Sequence, residues 1–214
     1  MKSIPGYAGR ILRADLTTEK LVSQEFTKEL ALTFLGGSGL GTKILWDEVS
    51  PEIEPFSPDN ELILAVGPLS ATIYPTAGRF EVITKSPLTG IYGDANGGGH
   101  FAPKMKQSGF DAVVVRGRAD HPVYVWLNDG KAEIRDGTSL WGKGTVDTEK
   151  VVREELGDPL LQVASIGQAG ENLVRYAAVM NEGCAAARSG VGAVMGSKNL
   201  KAFAAQGYGE VPSA

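Results

Sequence analysis

Arg79 and Asn96 are the residues whose types and settings best suit chemistry. Arg79 follows Gly78 at the start of "GRFEVITKS", and Asn96 precedes three glycines in "DANGGGH". Glycines let backbone N–H groups face an anion without interference from Cβ. A helix starting just beyond them, at "HFAPKMKQSG", would add the partial positive charge of its N-terminus. A guanidinium at position 79 suits bidentate contact with phosphate or with the polar edge of a flat ring. Asn96 offers a neutral carbonyl oxygen of the kind Mg²⁺ takes beside phosphates and water. The same letters fit an asparagine that merely caps the helix, and these residues leave both readings open.

Two further glycine-rich stretches invite the same question. "GGSGLGTK", Gly36 to Lys43, resembles a nucleotide loop but meets neither pattern. Its third glycine comes a residue early for a dinucleotide fingerprint, and a helix rather than a strand precedes it. Thr stands before Lys, where a P-loop needs Gly-Lys followed by Ser or Thr. A helix–helix turn is the local reading. The stretch from Met180 to Gly207, "MNEGCAAARSGVGAVMGSKNLKAFAAQG", packs small residues around one arginine and one cysteine. It reads either as close helix packing or as backbone laid against a large anionic ligand. His100 and His121 lie outside metal-ligand spacing, and no Ser-His-Asp set or carboxylate pair is discernible.

The elements that must position these residues are mixed α and β. The 214 residues suit one large domain or two small ones, with 43% hydrophobic and 21% charged residues. The net charge of −4 is interspersed, which argues against nucleic acid, and no apolar run approaches the ~20 residues of a membrane span. With no secretory h-region at the start and one cysteine, Cys184, the chain suits a reducing cytoplasm. The 28 glycines cluster between regular segments rather than spreading as a linker. Alternation predicts a hairpin over residues 9–26, strands at "ELILAVGPL", "RFEVITKS" and "DAVVVRG", and a hairpin turning at Asp129-Gly130. Strands are also expected at "LLQVASIG", "LVRYAAVM" and "NLKAFAAQG". Helices are expected at "KELALTFLGG", "LGTKILWDEV", "HFAPKMKQSG" and "TVDTEKVVREELG". The order helix, strand ending in Gly67, strand opening near Arg79 recurs as helix, strand ending in Gly167, strand opening near Arg175. That echo predicts an internal pseudo-duplication, and a two-fold guest or two copies of one ligand would suit it.

"GRFEVITKSPLTGIYGDANGGG", "GKAEIRD", "ASIGQAGENLVRYAAVMN" and "RSGVGAVMGSKNLKA", in this order, resemble the N-terminal domain of the aldehyde ferredoxin oxidoreductase family, from about residue 9 to 207. The resemblance implies an α+β fold, two mixed β-sheets with flanking helices, over a single domain spanning 1–214. It implies two pterin dithiolene cofactors carrying tungsten, or molybdenum, with their phosphates joined by Mg²⁺. Residue by residue, Arg79 matches the pterin-contacting arginine, and Asn96, followed by Gly97 and Gly98, matches the asparagine that reaches the magnesium. Ala185 matches the residue whose backbone carbonyl supplies the other magnesium contact. Arg188 and Gly190 match an "RGG" turn, and Gly192 opens the loop beside the cofactor.

The departures carry expectations of their own. Cys184 stands where relatives usually have a His-Arg pair, and Ser38 where many have arginine; Cys184 is expected to be small, buried filling. One cysteine cannot hold a [4Fe–4S] cluster of the Cys₄ type. The cluster, the substrate channel and the catalytic carboxylate and histidine are therefore expected in C-terminal domains absent here, or in a partner subunit. The chain alone is not expected to be catalytic, whether it is an excised domain, a truncated product or a split subunit. Ferredoxin or a similar acceptor, and a homo-oligomer, complete the implied partners. The alternative is a non-catalytic scaffold that kept the fold.

Overall fold

The structure is a computed structural model and describes residues 4–212. It begins with the expected hairpin, β1 (Arg10–Asp15) and β2 (Lys20–Glu25). Then come α1 (Lys28–Phe34), capped by the Thr27 hydroxyl, and α2 (Gly37–Glu48). Strands β3 (Leu62–Val66), β4 (Phe80–Lys85) and β5 (Tyr92–Gly97), helix α3 (Phe101–Gln107) and strand β6 (Ala112–Arg116) complete a first half. The second half opens with hairpin β7 (Val123–Asn128) and β8 (Lys131–Asp136). Its turn puts Asp129 and Gly130 at φ 40° and 85°, as a two-residue type I′ turn requires. It continues through α4 (Thr145–Leu156), β9 (Gln162–Ser165) and the single turn α5 (Gln168–Glu171). It ends with β10 (Val179–Asn181), β11 (Cys184–Ala186), α6 (Val191–Ser197) and β12 (Leu200–Gln206).

Among the described residues the strands form two six-stranded sheets, β2-β1-β6-β3-β4-β5 and β8-β7-β12-β9-β10-β11. Both follow one plan. The opening hairpin strand pairs parallel with the closing strand, β1 with β6 and β7 with β12, and the other neighbours run antiparallel. The registers agree as well. One row of paired residues crosses the first sheet as Gln24, Ile11, Ala112, Ala65, Glu81, Asn96. Its counterpart crosses the second as Arg135, Tyr124, Ala202, Ser165, Met180, Ala185. Gly67 and Gly167 each stand two residues past their row, so the sequence echo reflects two equivalent halves.

Strand alternation divides the core into three. Between the sheets lie Phe80, Val82 and Phe101 with Val179, Met195 and Phe203. Leu40 and Ile44 of α2 cover the outer face of the first sheet, and Val152 of α4 covers that of the second. The inner helices are exchanged: α3 packs on β9 and β12, and α6 on β3, β4 and β5. Each fully buried Leu or Phe is worth ~1.5–3 kcal/mol, so each half borrows stability from the other's helix. No helix among the described residues is long and apolar enough to cross a membrane.

Three local expectations are corrected. "LVRYAAVM" is strand only from Val179, because the chain before it hydrogen-bonds to the helices: Val174 N to Ala169 O at 2.9 Å, and Gly192 N to Ala177 O at 3.0 Å. Arg175 sits in that loop and is no register counterpart of Arg79. From Gly37 onward "GGSGLGTK" is the first half of α2 rather than a turn. Only Leu35 and Gly36 separate α1 from α2, and Gly36 (φ 145°) lies so close to β3 that a Cβ would stand 2.7 Å from Val66 O.

Candidate functional site

β5 and β11 are the equivalent edge strands of the two sheets, and they pack against each other. The candidate residues collect along this seam. Asn96 lies on β5 opposite Glu81, and Ala185 lies on β11 opposite Met180. Arg79 immediately precedes β4, and Arg188 stands two residues beyond β11. Both arginines are exposed, and among the described residues neither forms an ion pair.

Asn96 is not at a helix N-terminus. The β4–β5 ladder runs through it from Lys85–Tyr92 to Phe80–Gly97, and α3 starts only at Phe101. Its side-chain oxygen is engaged as well: Arg79 Nε donates to Asn96 Oδ1, and Asn96 Nδ2 donates to Glu81 Oε1. What Asn96 leaves available for a cation is its main-chain carbonyl, the same group that Ala185 has to offer. The α3 terminus is no free anion site either, because His100 N and Phe101 N both donate to Asn181 Oδ1 at 3.1 Å. Asn181 is fully buried and spends its amide on Gln162 Oε1 and Val163 O, tying α3 of one half to β9 and β10 of the other.

The candidate glycines separate by what surrounds them. A Cβ on Gly97 would enter the Phe80 ring, one on Gly190 (φ 68°) would meet Arg175 O, and one on Gly192 would lie 2.5 Å from Ala178 O. Those three serve close packing. Gly98 differs: a Cβ there would sit 3.4 Å from Cys184 Sγ and 3.9 Å from Arg79 Nη1. Its backbone faces an open cavity of about 610 Å³ lined by Tyr74, Arg79, Gly99, His100 and Pro103. Cys184 is exposed, against the expectation of a buried filler, because β11 is an edge strand. His100 is exposed and pairs with Glu182 at 2.6 Å.

Glu81 was missed by sequence reasoning. It sits on the α2 side of the sheet, with its Cγ 3.7 Å from where a Gly37 Cβ would stand. Burial pushes its carboxyl up, and the Asn96 amide, Arg79 and Arg188 pull it partly back. Its second oxygen, Oε2, is buried with no hydrogen-bond partner among the described residues. The Tyr92 and Thr42 hydroxyls, 3.1 Å apart, join α2 to β5 on the same face. The first glycine cluster thus lies beside the second. The signal for all this was the period-two run of small residues, Gly93, Ala95 and Gly97, buried between exposed or half-buried neighbours.

Among the described residues no group of three or more His, Cys, Asp or Glu is placed to hold a metal ion. The donor set at the seam is two equivalently placed main-chain carbonyls with two unpaired guanidinium groups. Such a set fits a guest that brings phosphates and its own metal ligands, and fits a bare transition metal poorly.

Comparison with known proteins identifies the family. A family model described as aldehyde ferredoxin oxidoreductase, N-terminal domain, matches residues 11–207. The chain is 53% identical over 207 residues to a tungsten-containing aldehyde ferredoxin oxidoreductase of Pyrococcus horikoshii, covering 96% of this chain and 34% of that protein. It is 35% identical to the WOR-like subunit of an aliphatic sulfonate oxidoreductase of Pyrococcus furiosus, covering 96% and 35%. A solved structure, the active-site complex BamBC of benzoyl coenzyme A reductase with 1,5-dienoyl-CoA, matches with a TM-score of 0.95 and 41% identity, covering 97% of this chain and 32% of that one. The relatives are oxidoreductases by name, and the chain spans about a third of their length. On the match across residues 11–207, the chain belongs to the aldehyde ferredoxin oxidoreductase family, as its N-terminal domain.

Proposed function

We propose that the chain holds a tungsten, or molybdenum, bis-pterin dithiolene cofactor as the N-terminal part of an aldehyde:ferredoxin-type oxidoreductase. The observation that carries this reading is the register match of Asn96 and Ala185 on abutting edge strands. The two residues occupy the same place in two equivalent sheets, as a guest with two like halves would require. Their carbonyls would hold the Mg²⁺ that joins the two pterin phosphates. Arg79 and Arg188 would meet phosphate or pterin edges as charged, forked donors. Gly98 would let the cofactor approach the backbone. Bound there, the metal dithiolene supplies oxo-transfer or hydride chemistry, and this chain supplies position and electrostatics. Gly97, Gly190 and Gly192 contribute indirectly, by letting β4, β5 and α6 pack closely beneath the seam.

A [4Fe–4S] cluster needs cysteine ligands that Cys184 alone cannot provide. The cluster, the channel and the contact with ferredoxin therefore fall to further domains or a partner subunit. The exposed Cys184, in place of a basic contact, favours the second reading of a non-catalytic scaffold. Metal and pterin analysis of the protein purified from its native host, with its partners retained, decides between them. Tungsten or molybdenum with fluorescent oxidised pterin should accompany the chain in fixed ratio. Absence of both from such a sample would sink the cofactor reading.

A further inference from the structure

We infer that Glu81 is a positioning residue: it fixes which way the Asn96 amide faces and, through that amide, aims Arg79 into the cavity beside Gly98. The part of this inference that concerns cofactor retention rests on the proposed function; the clamp itself does not. An asparagine on an edge strand can present either end of its amide to a neighbour. The Glu81 carboxyl oxygen Oε1 accepts the Asn96 amide hydrogen, so the NH₂ end turns toward Glu81 and Oδ1 turns away. Oδ1 then accepts the Nε–H of Arg79. With Nε occupied, the guanidinium keeps its terminal nitrogens for a ligand, and Nη1 lies 3.9 Å from where a Gly98 Cβ would stand, on the lining of the same cavity. Arg79 is otherwise a long exposed side chain without an ion pair among the described residues, and ordering it beforehand removes an entropic cost from binding.

Two observations set this clamp apart from ordinary packing. The counterpart of the Glu81–Asn96 pair in the second half is Met180–Ala185, so the fold does not itself require polar side chains at these positions. Glu81 also has Oε2 buried with no hydrogen-bond partner among the described residues, an arrangement that disfavours folding. The Glu81 stem faces α2 at Gly37, where an added Cβ would make ordinary contact with its Cγ at 3.7 Å.

The test follows the Arg79 Nε–H by nitrogen-15 NMR in the full chain without cofactor. Its signal is assigned by its loss in Arg79→Lys, and each variant is read well below its own unfolding midpoint. Hydrogen exchange at this site should be slow in the wild type and in Glu81→Gln, which keeps an acceptor for the Asn96 amide. In Glu81→Met and Glu81→Ala it should be about tenfold faster, the ratio one ordinary hydrogen bond is worth. Exchange unchanged in both truncations, or equally fast in Glu81→Gln, overturns the inference. In protein from the native host, cofactor content should fall several-fold in Glu81→Met and recover in Glu81→Gln. Full cofactor in Arg79→Ala would overturn the place of this edge in cofactor binding, while the exchange result would still judge the clamp.

Discussion

The two halves share one backbone plan and differ in the side chains they place on it. At the seam, β5 carries Asn96 clamped to Glu81 and Arg79, whereas β11 carries Ala185 opposite Met180. At the N-terminus of the inner helix, α3 is closed by Asn181 from the other half, while α6 starts on the left-handed Gly190. One residue before the central strand, the first half buries Glu61 and the second buries Leu161. What the halves have in common is main-chain placement; what distinguishes them is which positions carry polar side chains, Glu61, Glu81 and Asn96 in the first half and Asn181 in the second. A guest that spans the seam would therefore meet equivalent carbonyls from both halves but a preset guanidinium from only one.

The largest expected effect comes from removing that asymmetry at Asn181, whose register counterpart is Val82. Asn181→Val would strip acceptors from the His100 and Phe101 N–H groups and a donor from Gln162 and Val163. With several buried polar groups unpaired, unfolding in denaturant should show a loss of about 4 kcal/mol. A loss under ~1 kcal/mol would mean that the halves are not tied at this point. Smaller effects should separate two glycines of similar backbone. Gly190 (φ 68°) abuts Arg175 O, whereas Gly90 (φ 76°), in the β4–β5 turn, has open space around it. Gly90→Ala should cost ~1 kcal/mol for conformation alone, and Gly190→Ala ~3 kcal/mol for conformation and collision together. Equal costs would remove the close approach of the Arg175 loop from the account.

Much of the scaffold was legible because its signals are local. Asp129-Gly130 set a hairpin, and the apolar run of β3 and the recurring helix–strand–strand order declared the duplication. The seam was less legible because it depends on pairing across the chain. Three glycines after Asn96 read as a helix start, yet β4 claims that segment for its ladder, and the true α3 cap lies some eighty residues on at Asn181. "LVRYAAVM" alternates like a strand, yet α6 takes the hydrogen bonds of its first part. Glu81 had no motif because its role arises only when β5 pairs beside it. Cys184 was misjudged because the usual burial of a free cysteine was expected of a residue that an edge strand leaves exposed.

The last effect concerns Glu61, and it would show whether burying a carboxyl beside the central strand of the first half costs the fold anything. Burial, and then the neighbouring Glu48, push the Glu61 carboxyl up from 4.5 to about 7, against the pull of Arg13 and Arg116. Its Oε2 has no hydrogen-bond partner among the described residues. Because the folded state holds a proton that the unfolded chain has released, this contribution to stability is fully present below about pH 4.5. It declines as pH rises and is lost once pH passes through about 7. Leu161, the counterpart, has nothing to titrate. Glu61→Gln should therefore flatten the fall in unfolding free energy between pH 5 and pH 8 by about 1–2 kcal/mol, part of the shift being shared with Glu48. If wild type and variant fall in parallel, Glu61 is ionised in the folded state. The nearby positive charges, including the buried Lys198, then balance it, and the two halves differ at this position in composition without differing in pH response.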